Sequence, residues 1–362
     1  MQRAIDLALQ GAGFVSPNPM VGAVIVKDGR IIGEGYHARC GELHAERNAL
    51  ASLQEDATGA TIYVTLEPCC HYGKTPPCTE AIIEHKLGKV VIGSRDPNPL
   101  VAGKGAKILR DAGITVVEDF MRESCDAINP IFFHYITRHT PYVSMKYAMT
   151  MDGKIATKTG ASQWITGEEA RQDVQELRHI HRGIMVGIGT VLADDPMLTC
   201  RRENGRNPVR IVCDSHLQIP EDCQLVATAK DITTLVATSV EEIRLQEEKA
   251  HRLQEAGVEL LPLPEVERHI SLETCMQALG ERQIDSILLE GGGTLNDAML
   301  QAGLVHRVYA YIAPKIFGGV NAKTPVEGLG VNTPQEANQF EMIENRSFGK
   351  DIRLTFVKAK KE

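Results

Sequence analysis

The sequence has little of what several functions require. Its 362 residues hold one tryptophan, Trp164, and aromatics make up only 5% of the chain. That is too few for a nucleic-acid surface built on stacked rings. Acidic residues outnumber basic ones 47 to 39, a net charge of −8. No general electrostatic attraction to nucleic acid or an anionic membrane follows, so any phosphate must be held by a local site. No run reaches the roughly 18 apolar residues of a bilayer-spanning helix. The N-terminal stretch MQRAIDLALQGAGF is short and carries Asp6, which does not fit a secretory signal. Nine cysteines are too sparse for a disulfide scaffold. There is no internal repeat, and the one charge run is the tail from Lys358 to Glu362. A soluble protein of a reducing compartment, the cytoplasm, is expected, with neither nucleic acid nor membrane as partner.

What is present is an ordinary globular composition, with 43% hydrophobic and 24% charged residues. The length suits two domains. Short apolar runs at 21–27 and 31–36, split by Asp28-Gly29, predict a hairpin. Strands at 61–66, 89–93 and 114–117 alternate with helices at 44–54, 78–86 and 104–112, which predicts an α/β sheet with parallel pairs. One helix-like stretch covers 119–138. Arg138-His139-Thr140-Pro141 breaks the pattern, giving domains 1–140 and 141–362. The second repeats the α/β alternation, with strands near 142–148, 183–188, 209–213, 232–237, 284–289 and 306–313. Helices near 167–181, 241–256, 271–280 and 294–302 lie between them.

Three residues of the first domain have metal-ligand character. His44 opens a helix, Cys69 follows a strand in Glu67-Pro68-Cys69-Cys70, and Cys78 opens the next helix. One His and two Cys suit a catalytic zinc, one per chain, with the fourth position left for water. Glu46 sits two residues from His44, where a carboxylate can move protons between water and a leaving amine. This H-x-E, P-C and second Cys order is the zinc-deaminase pattern, with eight residues between the cysteines instead of the usual two. A structural zinc would need a fourth ligand such as Cys70 or His71. In the second domain, Glu290-Gly291-Gly292-Gly293-Thr294 follows an apolar strand and precedes a helix. Such a turn lets backbone approach phosphate at a helix N-terminus. It matches G-x-G-x-x-G poorly and lies late in its domain, against a Rossmann reading; a simple tight turn is the alternative.

The stretches SPNPMVG (16–22), HAERNAL and TLEPCCHYGKTPPCTEAII resemble the bifunctional riboflavin-biosynthesis deaminase–reductase family. The second half resembles it too, in KYAMTMDGKIAT, SQWITGEEARQDVQELRH, GTVLADDPMLT and LLEGGGTLNDAML. The resemblance covers nearly the whole chain. It implies a cytidine-deaminase-like zinc domain followed by a dihydrofolate-reductase-like domain, overall α/β. The implied substrate is 2,5-diamino-6-(5-phosphoribosylamino)pyrimidin-4-one, deaminated at C2. NADPH then reduces the ribosyl group to ribityl, giving 5-amino-6-(5-phosphoribitylamino)uracil. By position, Asn18, His37, His71, Lys74, Asp96 and Asn98 would line the deaminase pocket. Ala148, Trp164, Thr190, Asp194 and Ser215 would lie along NADPH. Gly292, Gly293, Thr294, Leu295, Asn296 and Asp297 would hold its diphosphate. Ser162, Arg178, Leu198, Arg201 and Glu290 would face the ribosyl substrate, with Arg178 and Arg201 as phosphate clamps. Cys70 stands where the family usually has serine. By analogy the chain would form a homodimer or higher homo-oligomer.

Overall fold

The computed structural model describes residues 1–72, 76–98 and 101–359. The chain divides into two compact units, Met1–His139 and Thr140–Glu362.

The first unit opens with α1 (Gln2–Ala8) and the hairpin β1 (Gly22–Lys27) and β2 (Arg30–Tyr36). Asp28 and Gly29 both take positive φ, 48° and 75°, the left-handed pair that a two-residue hairpin turn requires. There follow α2 (Ala45–Ala51), β3 (Thr61–Leu66), α3 (Cys78–Glu84), β4 (Lys89–Ser94), α4 (Lys104–Asp111) and β5 (Thr115–Val117). The sheet order is β2-β1-β3-β4-β5. Only β3, β4 and β5 run parallel; β1 is antiparallel to both its neighbours. Gly35 lets α2 sit directly on β2, since a Cβ there would lie 2.5 Å from the Ala49 nitrogen. Ile25, Ile62, Val64, Ile92 and Leu109 centre the core. The single helix expected over 119–138 is two, α5 (Arg122–Ile128) and α6 (Pro130–Arg138). Pro130 cannot continue a helix from its predecessor but readily starts one. The break is used: buried Asn129 accepts from Met20 N and donates to Met20 O, both at 2.8 Å.

The second unit runs β6 (Tyr142–Thr150), α7 (Glu168–Ile180), β7 (Gly183–Gly187), α8 (Ile188–Asp194), β8 (Val209–Cys213), α9 (Gln224–Ala227) and β9 (Thr234–Ser239). Next come α10 (Val240–Leu245), α11 (Glu247–Glu255), β10 (Glu259–Leu263), the small hairpin β11 (Glu265–Val266) and β12 (His269–Ile270), and α12 (Leu272–Glu281). The unit closes with β13 (Ser286–Leu289), α13 (Gly293–Gln301), β14 (Val305–Ala313), β15 (Phe340–Phe348) and β16 (Asp351–Lys358). Nine strands form one sheet, β10-β9-β8-β7-β13-β6-β14-β16-β15. It is parallel from β10 to β14 and antiparallel beyond.

Sequence periodicity omits β10, β15 and β16. The first two are edge strands, which carry weak patterns: β10 contains Pro262, and the middle of β15 is exposed on both faces. The helix expected over 241–256 breaks at Gln246, the cap between α10 and α11.

His181, at the C-terminal end of α7 just before β7, is buried. Its Nδ1 donates to Leu177 O at 2.8 Å, so Nε2 accepts from the Ser144 hydroxyl at 2.9 Å. Burial drives its pKa down to about 4. The unfolded chain, near 6.5, therefore takes up a proton that the folded one refuses. Folding stability is full above pH 6.5 and falls as pH drops toward 4, by up to about 3 kcal/mol. Thermal melting of the full chain between pH 7 and 4 should show this slope, and His181→Gln should flatten it.

Candidate functional site

The first site is assembled at element ends. His44 caps α2 in an extended conformation (φ −73°, ψ 163°), which leaves Glu46 in the first helical turn. Cys78 is the first residue of α3. His44 Nδ1 lies 3.4 Å from Cys69 Sγ and 3.5 Å from Cys78 Sγ. Tetrahedral ligands at zinc distances stand roughly 3.5 Å apart, so the residues fit zinc as they are. Among the described residues this metal-ready group comprises His44, Cys69 and Cys78, without Cys70 or His71, which leaves a fourth position open. The Cys78 N–H donates to Cys69 Sγ at 3.3 Å. Hydrogen bonds from Cys78 and His44 pull the Cys69 thiol down to about 4, the thiolate a metal needs. Glu46 is 3% exposed, and burial, helped by the Cys69 charge, pushes its carboxyl up to about 7. A group at that value can both accept and return a proton near neutral pH.

Around it, His37 Nδ1 donates to Leu43 O at 3.0 Å, so Nε2 accepts from Asn18 Nδ2 at 3.1 Å. Burial lowers the His37 pKa, favouring that neutral ring, which stands edge-on to His44 with centroids 5.3 Å apart. Asp96 accepts from Asn98 N at 2.8 Å, and burial raises its carboxyl to about 6. His71 Nδ1 is buried without a hydrogen-bond partner among the described residues. Lys74 lies outside the described residues. Sequence reasoning missed two supports. Glu67 accepts from Gly103 N and Ala106 N at 3.0 and 3.1 Å, tying the turn before Cys69 to α4. Arg47 donates to Pro76 O and Pro77 O at 3.1 and 2.8 Å, fixing the chain just before Cys78. Neither has a signal in spacing, because each acts on backbone distant in sequence.

The second site is a cavity of about 540 Å³ along the carboxyl ends of β7 and β8 and the start of α13. Thr190, Asp194, Ser215, Gly292, Gly293, Thr294 and Leu295 line it, as does Ser162, expected at the substrate. Ala148, Trp164, Asn296 and Asp297 are not among its lining residues. Asn296 is fully buried, and its amide donates to Gly291 O and Pro325 O at 3.3 and 2.8 Å. It shapes the glycine turn. Asp297 accepts from Gln301 at 3.4 Å. Trp164 is 57% exposed, with the Arg171 guanidinium 4.7 Å above its ring. Ala148 packs in the cluster around Tyr311.

Glu290, just past β13, is held by Arg178 through two contacts, 2.8 and 3.1 Å, with Lys146 Nζ 3.6 Å away. Burial raises this carboxyl, but the two cations overcome it and hold it at about 2. The third Arg178 nitrogen donates to Thr199 O at 2.9 Å. Arg178 thus grips Glu290 and the Thr199 carbonyl through three of its five N–H groups. Leu198 is buried at φ 51°. Arg201 is exposed, and its backbone N–H donates to Gln175 at 2.9 Å. Sequence reasoning missed Lys146, because nothing in spacing places a β6 lysine opposite residue 290. It also missed His216, His269 and Glu327 on the cavity wall.

Two family models match the chain. One, for the RibD C-terminal domain, covers residues 141–354. The other, for the cytidine and deoxycytidylate deaminase zinc-binding region, covers residues 1–94. The riboflavin biosynthesis protein RibD of Actinobacillus pleuropneumoniae is 54% identical over 357 residues, 99% of this chain and 94% of the relative. That of Escherichia coli is 42% identical over 372 residues, 99% and 98% of the two chains. The solved structure of Acinetobacter baumannii RibD superposes with a TM-score of 0.88 at 38% identity, covering 99% and 98%. A Thermotoga maritima diaminohydroxyphosphoribosylaminopyrimidine deaminase/5-amino-6-(5-phosphoribosylamino)uracil reductase does so at 0.87 and 39%, covering 99% and 97%.

Proposed function

This chain belongs to the RibD family of bifunctional riboflavin-biosynthesis enzymes, and we propose that residues 1–140 carry the deaminase and residues 141–362 the reductase. The substrate is 2,5-diamino-6-(5-phosphoribosylamino)pyrimidin-4-one. The first step replaces its C2 amine with oxygen and releases ammonia; the second reduces the ribosyl group at C1′. The observation that carries the reading is buried Glu46 beside the His44-Cys69-Cys78 group.

A zinc ion on three protein ligands supplies an activated water near neutral pH. Glu46 takes a proton from the attacking water and passes it to the leaving amine. Neutral His37, Asn18, His71 and Asp96 orient the pyrimidine. In the second unit NADPH supplies hydride. The N-terminus of α13, at Gly292, Gly293 and Thr294 on the cavity wall, would receive the diphosphate. Glu290, fixed by Arg178 and Lys146, positions the ribosyl chain. Hydride from deuterated NADPH should appear at C1′ and nowhere else. A time course with the diaminopyrimidine ribotide tests the whole reading. Ammonia should appear without NADPH, and NADPH should be consumed only after ammonia forms. Zinc-loaded protein giving neither signal would overturn it.

Among the described residues no helix is long and apolar enough to cross a membrane, in keeping with cytoplasmic work on a small molecule. Edge strand β15 exposes Met342 and Ile343, 57% and 53%, and its outer backbone edge is one that a second copy would cover. Light scattering should give a dimer or larger, and Met342→Glu with Ile343→Glu should shift it toward monomer.

A further inference from the structure

Two histidines on the wall of the second-unit cavity have no part in the chemistry above. Both His216, just after β8, and His269, in β12, line it. Their ring centroids are 6.4 Å apart, and the Ser215 hydroxyl accepts from Ile270 N at 3.1 Å, which pins the β11–β12 hairpin against the end of β8. Their place along the sheet identifies what they face. The Arg178–Glu290 pair stands at β13, the α13 N-terminus beside it, and β7 and then β8 lie successively farther away. A dinucleotide with its nicotinamide toward Glu290 and its diphosphate on α13 would put its adenosine end toward β8.

Resting on the NADPH reading above, we propose that His216 and His269 form the phosphate-monoester subsite that recognises the cofactor's 2′-phosphate. His216 Nδ1 lies 3.6 Å from Glu242 Oε1. Gln246 Nε2 braces both groups, donating to Glu242 Oε2 at 2.7 Å and to His216 O at 2.8 Å. With Nδ1 on the Glu242 side of the ring, Nε2 is the nitrogen left to meet a phosphate oxygen. His269 and the Ser215 hydroxyl supply further donors from the facing hairpin and strand end. NAD, without the third phosphate, would leave these groups unanswered.

Titration calorimetry of NADP+ and NAD+ against the full chain tests this. For His216→Asn/His269→Asn the NADP+ Kd should rise about 10-fold or more, the scale of a charge-assisted hydrogen bond, with the NAD+ Kd within about twofold. His269→Asn alone, on an exposed hairpin where folding is not at stake, should give part of that rise. Unchanged NADP+ affinity, or equal weakening for both dinucleotides, would overturn the assignment. So would a raised KM for the phosphoribosyl substrate with NADP+ binding intact, which would assign the pair to the substrate's phosphate. Unaltered protein that binds NADP+ no tighter than NAD+ would instead remove the NADPH reading itself.

Discussion

Glu46→Gln should cut ammonia release by at least about 100-fold, the low end for general acid–base catalysis, while zinc content stays at one per chain. Glutamine keeps the size and polarity of the side chain but cannot take up and return a proton at this carboxyl's value of about 7. Its atoms are not in the ligand group of His44, Cys69 and Cys78, so the metal has no reason to leave. Cys78→Ser should do the reverse to zinc. It removes a ligand at the start of α3, and metal analysis after dialysis should show the loss. A purely structural zinc would leave ammonia release intact in Glu46→Gln, and that result would end the deaminase assignment for this site.

Arg178→Met should abolish NADPH oxidation and lower stability by about 3 kcal/mol, the low end for breaking a buried ion pair because Lys146 remains. Glu290 is held at about 2 against burial by Arg178 and Lys146. Losing the nearer cation leaves a buried carboxylate undercompensated, so its pKa must rise. Adding Glu290→Gln removes that charge and should recover part of the stability, as read by denaturant unfolding, but not NADPH oxidation. Recovery of both would make the pair a structural brace only. The sign of the pH effect also separates this pair from His181. The Glu290 contribution is full above its unfolded value near 4.5 and is lost as pH falls toward 2. The His181 effect is spent between 6.5 and 4.

The zinc group was legible in the sequence because each ligand sits at an element end that the sequence itself marks. Asn-free, apolar TIYVTL runs into Glu-Pro-Cys, and Pro77 precedes the helix that Cys78 opens. The glycine turn after β13 was legible for the same reason, since glycines at a strand-to-helix junction have few other uses. Alternation of short apolar runs was enough for most strands and for two α/β units.

Other features depended on partners distant along the chain. The sequence offers Arg178 as a phosphate clamp but gives no sign of the carboxylate 2.8 Å away and 112 residues distant that fixes it. Asn296 reads as a cofactor contact in the sequence, which gives no sign that its Nδ2 donates to Gly291 O and Pro325 O. His216 and His269 carried no motif and met only because Ser215 pins a hairpin 55 residues on. Local sequence thus determined which segments fold and which residues can bind metal, because propensity and ligand chemistry act over a few residues. Tertiary structure decided which charges are neutralised, which polar groups remain for a ligand and where β10, β15 and β16 extend the sheet, because burial and long-range pairing exist only once the chain has closed.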